Sequence, residues 1–297
     1  MKEIVVISGK GGTGKTSMVA SFACLAKKDA VLADCDVDAA DLHLLLESDF
    51  SFEEDFYSGE LAFIDKSICR NCGRCAKVCR FDAIDFCELK YTVDEISCEG
   101  CGYCARVCIP NAITMNKRNV GKWYISTIKT GAQMVHAKLG IGAENSGKLV
   151  AKVKSEAKKI AQRNNLKYVI IDGSPGIGCP VVSSLSGANF VVLVTEPTQS
   201  GLHDLKRVYG VVEKFNLKAG CIINKCDIND IVAEEIEFFL KEKKIEHIGS
   251  LPHSPSFTQA MIEGLSVVEY TDIELKKAVC LCWDKIEETI NKKEHVE

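Results

Sequence analysis

Two cysteine runs are the densest groups of potential metal ligands in the sequence. Each has the spacing Cys-x2-Cys-x2-Cys-x3-Cys, and the eight residues are Cys69, Cys72, Cys75, Cys79, Cys98, Cys101, Cys104 and Cys108. The chain contains 16 cysteines in 297 residues, and half of them lie in this one segment. Such clustering indicates metal binding, because a disulfide framework spreads its cysteines along a small secreted chain.

The cysteine runs belong to an internal repeat. Residues 64–84 align without a gap on residues 93–113, which lie 29 positions further along the chain. Three thiolates in so tight a turn can bind three irons of a cubane cluster, whereas the fourth cysteine lies too far along the chain. Zinc and disulfides are the alternatives. Zinc sites favour two Cys-x2-Cys pairs, so the doubled four-cysteine runs favour iron–sulfur clusters.

Over about sixty residues, this segment resembles the bacterial-type ferredoxins that bind two [4Fe–4S] clusters. In those ferredoxins, the fourth cysteine of each run ligates the other cluster. The resemblance therefore implies that one cluster is held by Cys69, Cys72, Cys75 and Cys108. It assigns the second cluster to Cys98, Cys101, Cys104 and Cys79.

Residues 9–16, Gly-Lys-Gly-Gly-Thr-Gly-Lys-Thr, match the phosphate-binding P-loop pattern. A strand-like run at 4–7 precedes the motif and a helical pattern at about 16–26 follows it. Backbone N–H groups of such a loop surround phosphate oxygens at a helix N-terminus. We expect Lys15 to reach the β- and γ-phosphates and Thr16 to ligate Mg²⁺. The predicted nucleotide contacts in this loop are Gly11, Gly12, Thr13, Gly14, Lys15, Thr16 and Ser17.

The first lysine of the loop, Lys10, narrows the match. With it, the motif resembles the deviant Walker A sequence of the MinD/ParA/Mrp/nitrogenase iron protein superfamily. The resemblance implies an ATPase that dimerises around nucleotide, with Lys10 reaching the partner's phosphates. It also implies that Asp36, in Asp-Cys-Asp, orients the attacking water, and that Asp172, in Asp-Gly-Ser-Pro-Gly, lies near Mg²⁺. Lys10, Lys15, Asp36 and Asp172 are thus the predicted catalytic residues, and both aspartates are candidate Mg²⁺ ligands.

Asn224 and Pro252 are the candidate contacts to the base. Asn224 opens an Asn-Lys-x-Asp motif of the kind that GTPases use for guanine. An amide can also pair with N6 and N7 of adenine, so these residues leave ATP and GTP open. The superfamily resemblance favours ATP, and it implies that Pro252 lies in the loop that covers the base.

Cys179 lies seven residues after Asp172. The nitrogenase iron protein has a cluster-ligating cysteine at this spacing, at its dimer interface. The resemblance makes Cys179 a candidate ligand of a cluster that bridges two protomers, although residues 119–150 offer no clear second cysteine. A buried thiol that packs beside the loop is the alternative.

Alternating strands and helices position these motifs. Buried runs of Val and Ile predict strands at 168–172, 190–195 and 220–224, and helices are predicted near 147–164, 200–215 and 230–243. The alternation is typical of a parallel sheet with helices on both faces. Residues 60–118 break the pattern. We therefore predict an α/β P-loop ATPase domain formed by 1–59 and 119–297, with an α+β ferredoxin domain inserted at 60–118 (repeats at about 60–88 and 89–118).

Composition narrows the classes of function. The chain has 37 basic and 41 acidic residues, a net charge of −4, which argues against a nucleic-acid partner. The apolar runs are strand-sized, and the first residues lack the apolar region of a signal peptide. The last helix carries mixed charge, a poor anchor for anionic lipid. We therefore expect a cytoplasmic protein without stable membrane association.

These features lead to two hypotheses for a dimerising Mg²⁺-dependent ATPase. In the first, ATP binding and hydrolysis control electron transfer through iron–sulfur clusters, or their assembly and delivery, for a redox or metalloprotein partner. In the second, the protein is a MinD/ParA-like positioning or partition ATPase whose clusters act as a redox sensor. The dimer is expected to be a homodimer or a heterodimer with a related ATPase.

Overall fold

The computed structural model describes residues 1–140, 142 and 146–292. They form two compact units. Unit 1 consists of Met1–Glu54, Trp123–Lys138 and 146–292, and unit 2 consists of Asp55–Lys122 with 139–140 and 142. The domain boundaries given above concern independent folding and stay a prediction.

The described residues form strands and helices in alternation through unit 1. The strands are β1 (Lys2–Ile7), β2 (Ala30–Asp34), β3 (Phe52–Ile64), β4 (Ile84–Cys87), β5 (Lys90–Val93), β6 (Ile113–Thr127), β7 (Gln133–Leu139), β8 (Tyr168–Asp172), β9 (Phe190–Thr195), β10 (Ala219–Asn224) and β11 (Glu246–Leu251). The helices are α1 (Lys15–Ala26), α2 (Leu42–Leu45), α3 (Arg74–Val78), α4 (Tyr103–Arg106), α5 (Ser146–Arg163), α6 (Cys179–Leu185), α7 (Gln199–Lys214), α8 (Asp230–Glu242), α9 (Ser256–Ile262) and α10 (Ile273–Asn291). None of these helices is both long and apolar enough to cross a bilayer.

The main sheet has the strand order β11-β10-β9-β1-β8-β2-β7-β6-β3. Strand β1 pairs in parallel with β8 and β9, β2 with β7 and β8, and β10 with β9 and β11. The predicted α/β parallel sheet is therefore confirmed. The carboxyl ends of its central strands meet at one edge, which is where the predicted phosphate loop and acidic residues follow.

Both faces of the central strands are buried, which explains their continuous apolar runs. Ile4 and Val6 belong to a core with Met18 and Phe22 of α1 and with helix α10. Val5, between them, points to the opposite face and is also fully buried. Helix α5 packs against β2 and α6.

Strands β3 and β6 were not predicted. They are 13 and 15 residues long, and most of their residues are exposed or only half-buried. A strand gives a sequence signal through buried apolar residues, and these strands bury few of them.

A buried lysine joins α5 to the sheet. Lys154 donates a hydrogen bond to the carbonyl oxygen of Ser184 at 2.7 Å, and its Nζ lies 3.1 Å from Glu3 Oε2. Burial lowers the pKa of Lys154 below its ordinary value. The other oxygen of Glu3 lies 2.8 Å from Lys158, whose side chain is 46% exposed. One carboxylate at the start of β1 thus holds two lysines of α5, one buried and one half-exposed.

Unit 2 has a small core of its own. Its buried residues are Ala62, Ile64, Cys75, Ala83, Ile84, Cys98 and Ile113. Strands β4 and β5 pair as an antiparallel hairpin, and the short helices α3 and α4 pack together. Two of the predicted metal ligands are therefore part of the core.

Candidate functional site

A cavity of about 840 Å³ opens in unit 1 beyond the carboxyl ends of the central strands. Its size and position are typical of a small-molecule site in an α/β fold. The predicted residues Gly11–Ser17, Asp36 and Asn224 all line it. Pro252 does not line it, but the next residue, His253, does.

The loop between β1 and α1 forms the floor of this cavity. Gly12 and Gly14 have φ angles of 78° and 90°, a left-handed conformation that favours glycine. A Cβ atom on Gly14 would also lie 2.5 Å from the Asn224 side chain. Helix α1 begins at Lys15 without a side-chain cap. The backbone N–H groups of its first turn are thus available to an anion such as phosphate.

Lys15 lies among acidic side chains beneath the loop. Its buried ammonium forms ion pairs with Asp172 and, at 3.4 Å, with Asp36. Burial alone would lower the pKa of Lys15, but Asp172 and Asp36 raise it above the ordinary value. Burial raises the pKa of Asp36, and it raises the pKa of Asp34, helped by Asp172, well above the usual range. Three carboxyl groups therefore surround one lysine.

This donor set fits a Mg²⁺ ion. The Oδ2 atoms of Asp34 and Asp172 are buried and have no hydrogen-bond partner. Within the described ranges, no three His, Cys, Asp or Glu side chains converge on one ion position. Mg²⁺ does not need such a cage, because it is usually bound by one or two carboxylates together with water and substrate phosphates. The hydroxyl of Thr16, which also lines the cavity, adds an oxygen of the right kind.

Lys10 does not line the cavity. Its Nζ lies 2.7 Å from Glu196 Oε1, 3.0 Å from Ser200 Oγ and 3.3 Å from Thr198 Oγ1. Glu196 is not among the residues predicted from the sequence. Its place directly after the strand at 190–195 is the signal that could have found it, because site residues follow the carboxyl ends of parallel strands.

Asn224 supports the loop. Its Nδ2 donates to the carbonyl oxygen of Thr13 at 2.8 Å, and its Oδ1 accepts from the backbone N–H of Lys225 at 3.0 Å. Asp227, three residues on, accepts from the backbone N–H of His253 at 2.6 Å. The Asn-Lys-x-Asp motif thereby connects the phosphate loop to the segment that follows β11.

Cys179 is the first residue of α6, and its side chain is exposed. The alternative of a buried packing thiol is therefore wrong for this residue. Its role as a bridging ligand stays a prediction.

In unit 2, four thiols from both repeats border one cavity. They are Cys79, Cys98, Cys101 and Cys104, the four residues predicted to hold the second cluster. Around Cys75, burial raises the thiol pKa, and the charges of Cys69 and Cys108 raise it further. These three residues belong to the set predicted for the first cluster.

The arrangement of these thiols fits a cluster better than a single ion. Four sulfurs at 2.3 Å from one zinc would lie about 3.8 Å apart. No three thiols of the described chain converge on one ion position in this way. A cubane instead binds its four thiolates at four separate irons, so the cysteines lie around a larger group.

The chain is similar to known nucleotide-binding proteins. Residues 4–267 match the family described as the CobQ/CobB/MinD/ParA nucleotide binding domain. An uncharacterised protein of Methanocaldococcus jannaschii is 36% identical over 232 residues, 77% of this chain and 80% of that protein. The septum site-determining protein MinD of Synechocystis sp. is 26% identical over 258 residues, 84% of this chain and 75% of that protein.

A solved structure shares the fold. It is the septum site-determining protein MinD complexed with Mg-ADP from Pyrococcus horikoshii. The match covers 99% of each chain with a TM-score of 0.59 and 18% sequence identity.

Proposed function

Since the chain belongs to the CobQ/CobB/MinD/ParA nucleotide-binding family and is a P-loop ATPase, we propose that it binds ATP with Mg²⁺ in the cavity of unit 1. We extend the proposal to two [4Fe–4S] clusters in unit 2, whose electron transfer or delivery to a partner protein is controlled by the nucleotide. The observation that carries this extension is the set of four thiols, drawn from both repeats, around one cavity.

The residues of unit 1 have separate tasks in ATP hydrolysis. The N–H groups at the start of α1 bind phosphate oxygens, which compete with Asp36 and Asp172 for the ammonium of Lys15. Asp36, which faces the cavity, orients the attacking water. Thr16, Asp36 and Asp172 would hold Mg²⁺, which supplies charge compensation for phosphoryl transfer. Asn224 keeps the loop in shape through Thr13.

Dimerisation is part of this proposal, with Lys10 contacting the phosphates of a second copy. Lys10→Ala should weaken ATP-dependent dimerisation and hydrolysis more than ATP binding. Lys15→Ala should weaken binding itself, because Lys15 borders the cavity. Titration calorimetry and light scattering separate the two effects, and equal loss of binding in both variants would contradict a role of Lys10 in the partner's site.

In unit 2, the crossed cysteine sets would hold the clusters, which accept and release single electrons. Exposed apolar side chains lie next to the cysteine runs, among them Phe81, Tyr103 and Ile109, which are 44%, 52% and 65% exposed. Apolar surface of this kind is common where another protein docks. It supports a redox or metalloprotein partner.

Cluster content tests the proposal directly. Anaerobically reconstituted protein should bind about eight iron and eight sulfide per chain. Cys79→Ser should damage the cluster held by Cys98, Cys101 and Cys104, as seen by electron paramagnetic resonance. Cys87→Ser is the matched control, because Cys87 is an exposed thiol of the same unit outside both runs. Stoichiometric zinc without iron would overturn the iron–sulfur part.

A positioning or partition ATPase is the second candidate, and the comparisons favour it more than they favour the redox function. The observation behind it is the likeness to two septum site-determining proteins named MinD. Under this hypothesis the clusters sense redox state. Native anaerobic pulldown with trapped ATP distinguishes the two: an associated metalloenzyme or cluster scaffold supports redox coupling, and ATP-dependent retention on lipid vesicles or DNA supports positioning.

A further inference from the structure

The carboxylate of Glu196 binds two lysines at once. Its Oε1 lies 2.7 Å from Lys10 Nζ, and its Oε2 lies 2.8 Å from Lys225 Nζ. The Glu196 side chain is only 11% exposed, whereas each lysine is 29% exposed. Burial opposes the charged form, but the two lysines lower the pKa of Glu196 below its ordinary value. Glu196 is therefore an anion at neutral pH, held in place by both lysines.

Lys225 also fixes where Glu196 lies relative to the phosphate loop. Its Nζ donates to the carbonyl oxygen of Gly12 at 3.2 Å as well as to Glu196. The carboxylate is thereby attached to the loop that carries Lys10. Ionic contacts with this geometry are charge-assisted hydrogen bonds, which are stronger than neutral ones.

The other partners of Lys10 are weak ones for a cation. Thr198 caps α7 by accepting from the backbone N–H of Gly201 at 3.0 Å, and Ser200 lies in the first turn. The N-terminus of a helix carries a partial positive charge, which repels an ammonium group. The position of Lys10 thus depends on the negative charge of Glu196.

From these contacts, we propose that Glu196 is a positioning residue that holds Lys10 within its own protomer and must release it before two protomers can dimerise around ATP. The inference rests on the proposed function, because it takes Lys10 as the lysine that binds the partner's phosphates. An interaction made only in the free protomer lowers the affinity of dimerisation by its own strength. In a symmetric dimer both Lys10 side chains must leave Glu196, so the effect counts twice.

The test measures dimerisation in Mg²⁺-ATP, with Asp36→Asn in every protein to slow hydrolysis. Sedimentation over a range of protein concentrations gives the dimer dissociation constant. Glu196→Gln removes the charge and keeps the shape, and it should lower this constant by roughly tenfold or more, since one charge-assisted contact is lost per protomer. Glu196→Asp, with a shorter reach, should have a smaller effect in the same direction.

Two controls separate this role from a general effect of charge or folding. Glu213→Gln removes a carboxylate of the same helix that pairs with Lys243 at 3.4 Å, and it should leave the constant unchanged. In Lys10→Ala, adding Glu196→Gln should give no tightening. In the absence of nucleotide, Lys10 should also react faster with an amine-labelling reagent in Glu196→Gln, as read by mass spectrometry.

The outcomes distinguish the inference from the proposed function. Loss of dimerisation in Lys10→Ala together with tighter dimerisation in Glu196→Gln supports both. Loss in Lys10→Ala with unchanged or weaker dimerisation in Glu196→Gln overturns the inference alone. Normal dimerisation of Lys10→Ala overturns the role of Lys10 in the partner's site and the inference with it.

Discussion

Asn224 at the end of β10 donates its amide Nδ2–H to the carbonyl oxygen of Thr13 at 2.8 Å. Asn224 is 2% exposed and its Oδ1 is also occupied, by the backbone N–H of Lys225. The amide therefore acts as a spacer between β10 and the phosphate loop. This contact explains why an Asn can be required here whichever purine is bound.

The first prediction concerns Asn224→Asp. The substitution replaces a donor with an acceptor, so the carboxylate faces the carbonyl oxygen of Thr13 and destabilises the loop. We expect ATP and GTP affinity to fall together, by roughly tenfold or more. Asn229→Asp is the control, because Asn229 caps α8 only by accepting from Val232 N–H, which Asp does equally well. A change of base preference without loss of affinity would contradict the prediction.

The second prediction concerns the stability of the ligand-free site. Lys15→Met leaves Asp34, Asp36 and Asp172 without their counter-ion, and it should lower the free energy of unfolding by about 3–5 kcal/mol. Adding Asp172→Asn should restore a large part of this loss. Adding Asp36→Asn should restore less, because Asp36 lies further from Lys15 and is more exposed. Urea unfolding of the single and double variants measures these couplings, and strictly additive losses would count against the ion pairs.

The third prediction concerns Lys154 and Lys158, which share the carboxylate of Glu3. Lys154→Met removes a buried ammonium that donates to the Ser184 carbonyl, so we expect a loss of about 3–5 kcal/mol in unfolding free energy. Lys158→Met removes the half-exposed partner and should cost less than about 1 kcal/mol. Thermal and urea unfolding of the two variants provide the comparison. Equal losses would show that burial does not set the difference.

His136 on β7 is buried next to Ser126. Its Nε2 lies 2.9 Å from Ser126 Oγ, which already accepts from the backbone N–H of Phe50 at 3.1 Å. The Ser126 hydroxyl hydrogen is thus free to point at Nε2, and a proton on Nε2 would disrupt that contact. Burial, followed by the nearby His43, lowers the pKa of His136 to about 4.

The fourth prediction follows from this lowered pKa. Between about pH 6.5, the ordinary value for His, and pH 4, the unfolded chain binds a proton that the folded chain does not. Stability should therefore fall as the pH drops through this window, by roughly 3 kcal/mol in total. His136→Phe should flatten this part of the unfolding profile. His203→Gln, at a side chain that is 70% exposed, should leave it unchanged. Identical profiles for His136→Phe and the parent protein would contradict the prediction.

Local patterns predicted the parts of the fold that are continuous in sequence. The P-loop motif locates β1, the glycine turn and α1, and apolar runs locate β8 and β9 within a residue or two. The predicted helix at 147–164 is α5, Ser146–Arg163. These elements carry their own signals, namely turn glycines and buried periodic residues.

Contacts between distant segments could not be predicted in the same way. Glu196 lies 186 positions from Lys10, and no local pattern indicates that they pair. Asn224 was expected at the base from its motif, yet its amide supports Thr13, because only the folded sheet shows which loop it faces. The cysteine spacing predicted a set of four ligands, and the cavity in unit 2 brings that set together.

The strand pairing of β1 has a consequence for the order of events during synthesis. Ile4 lies opposite Ile170 and Phe190, so both partners of the first strand follow it by more than 160 residues. At about 5–20 residues per second, the ribosome needs on the order of ten seconds or more to supply them. The main stretch of unit 2, Asp55–Lys122, is complete well before then. We therefore expect its cysteines to become available to iron while the nascent first strand still has no partner.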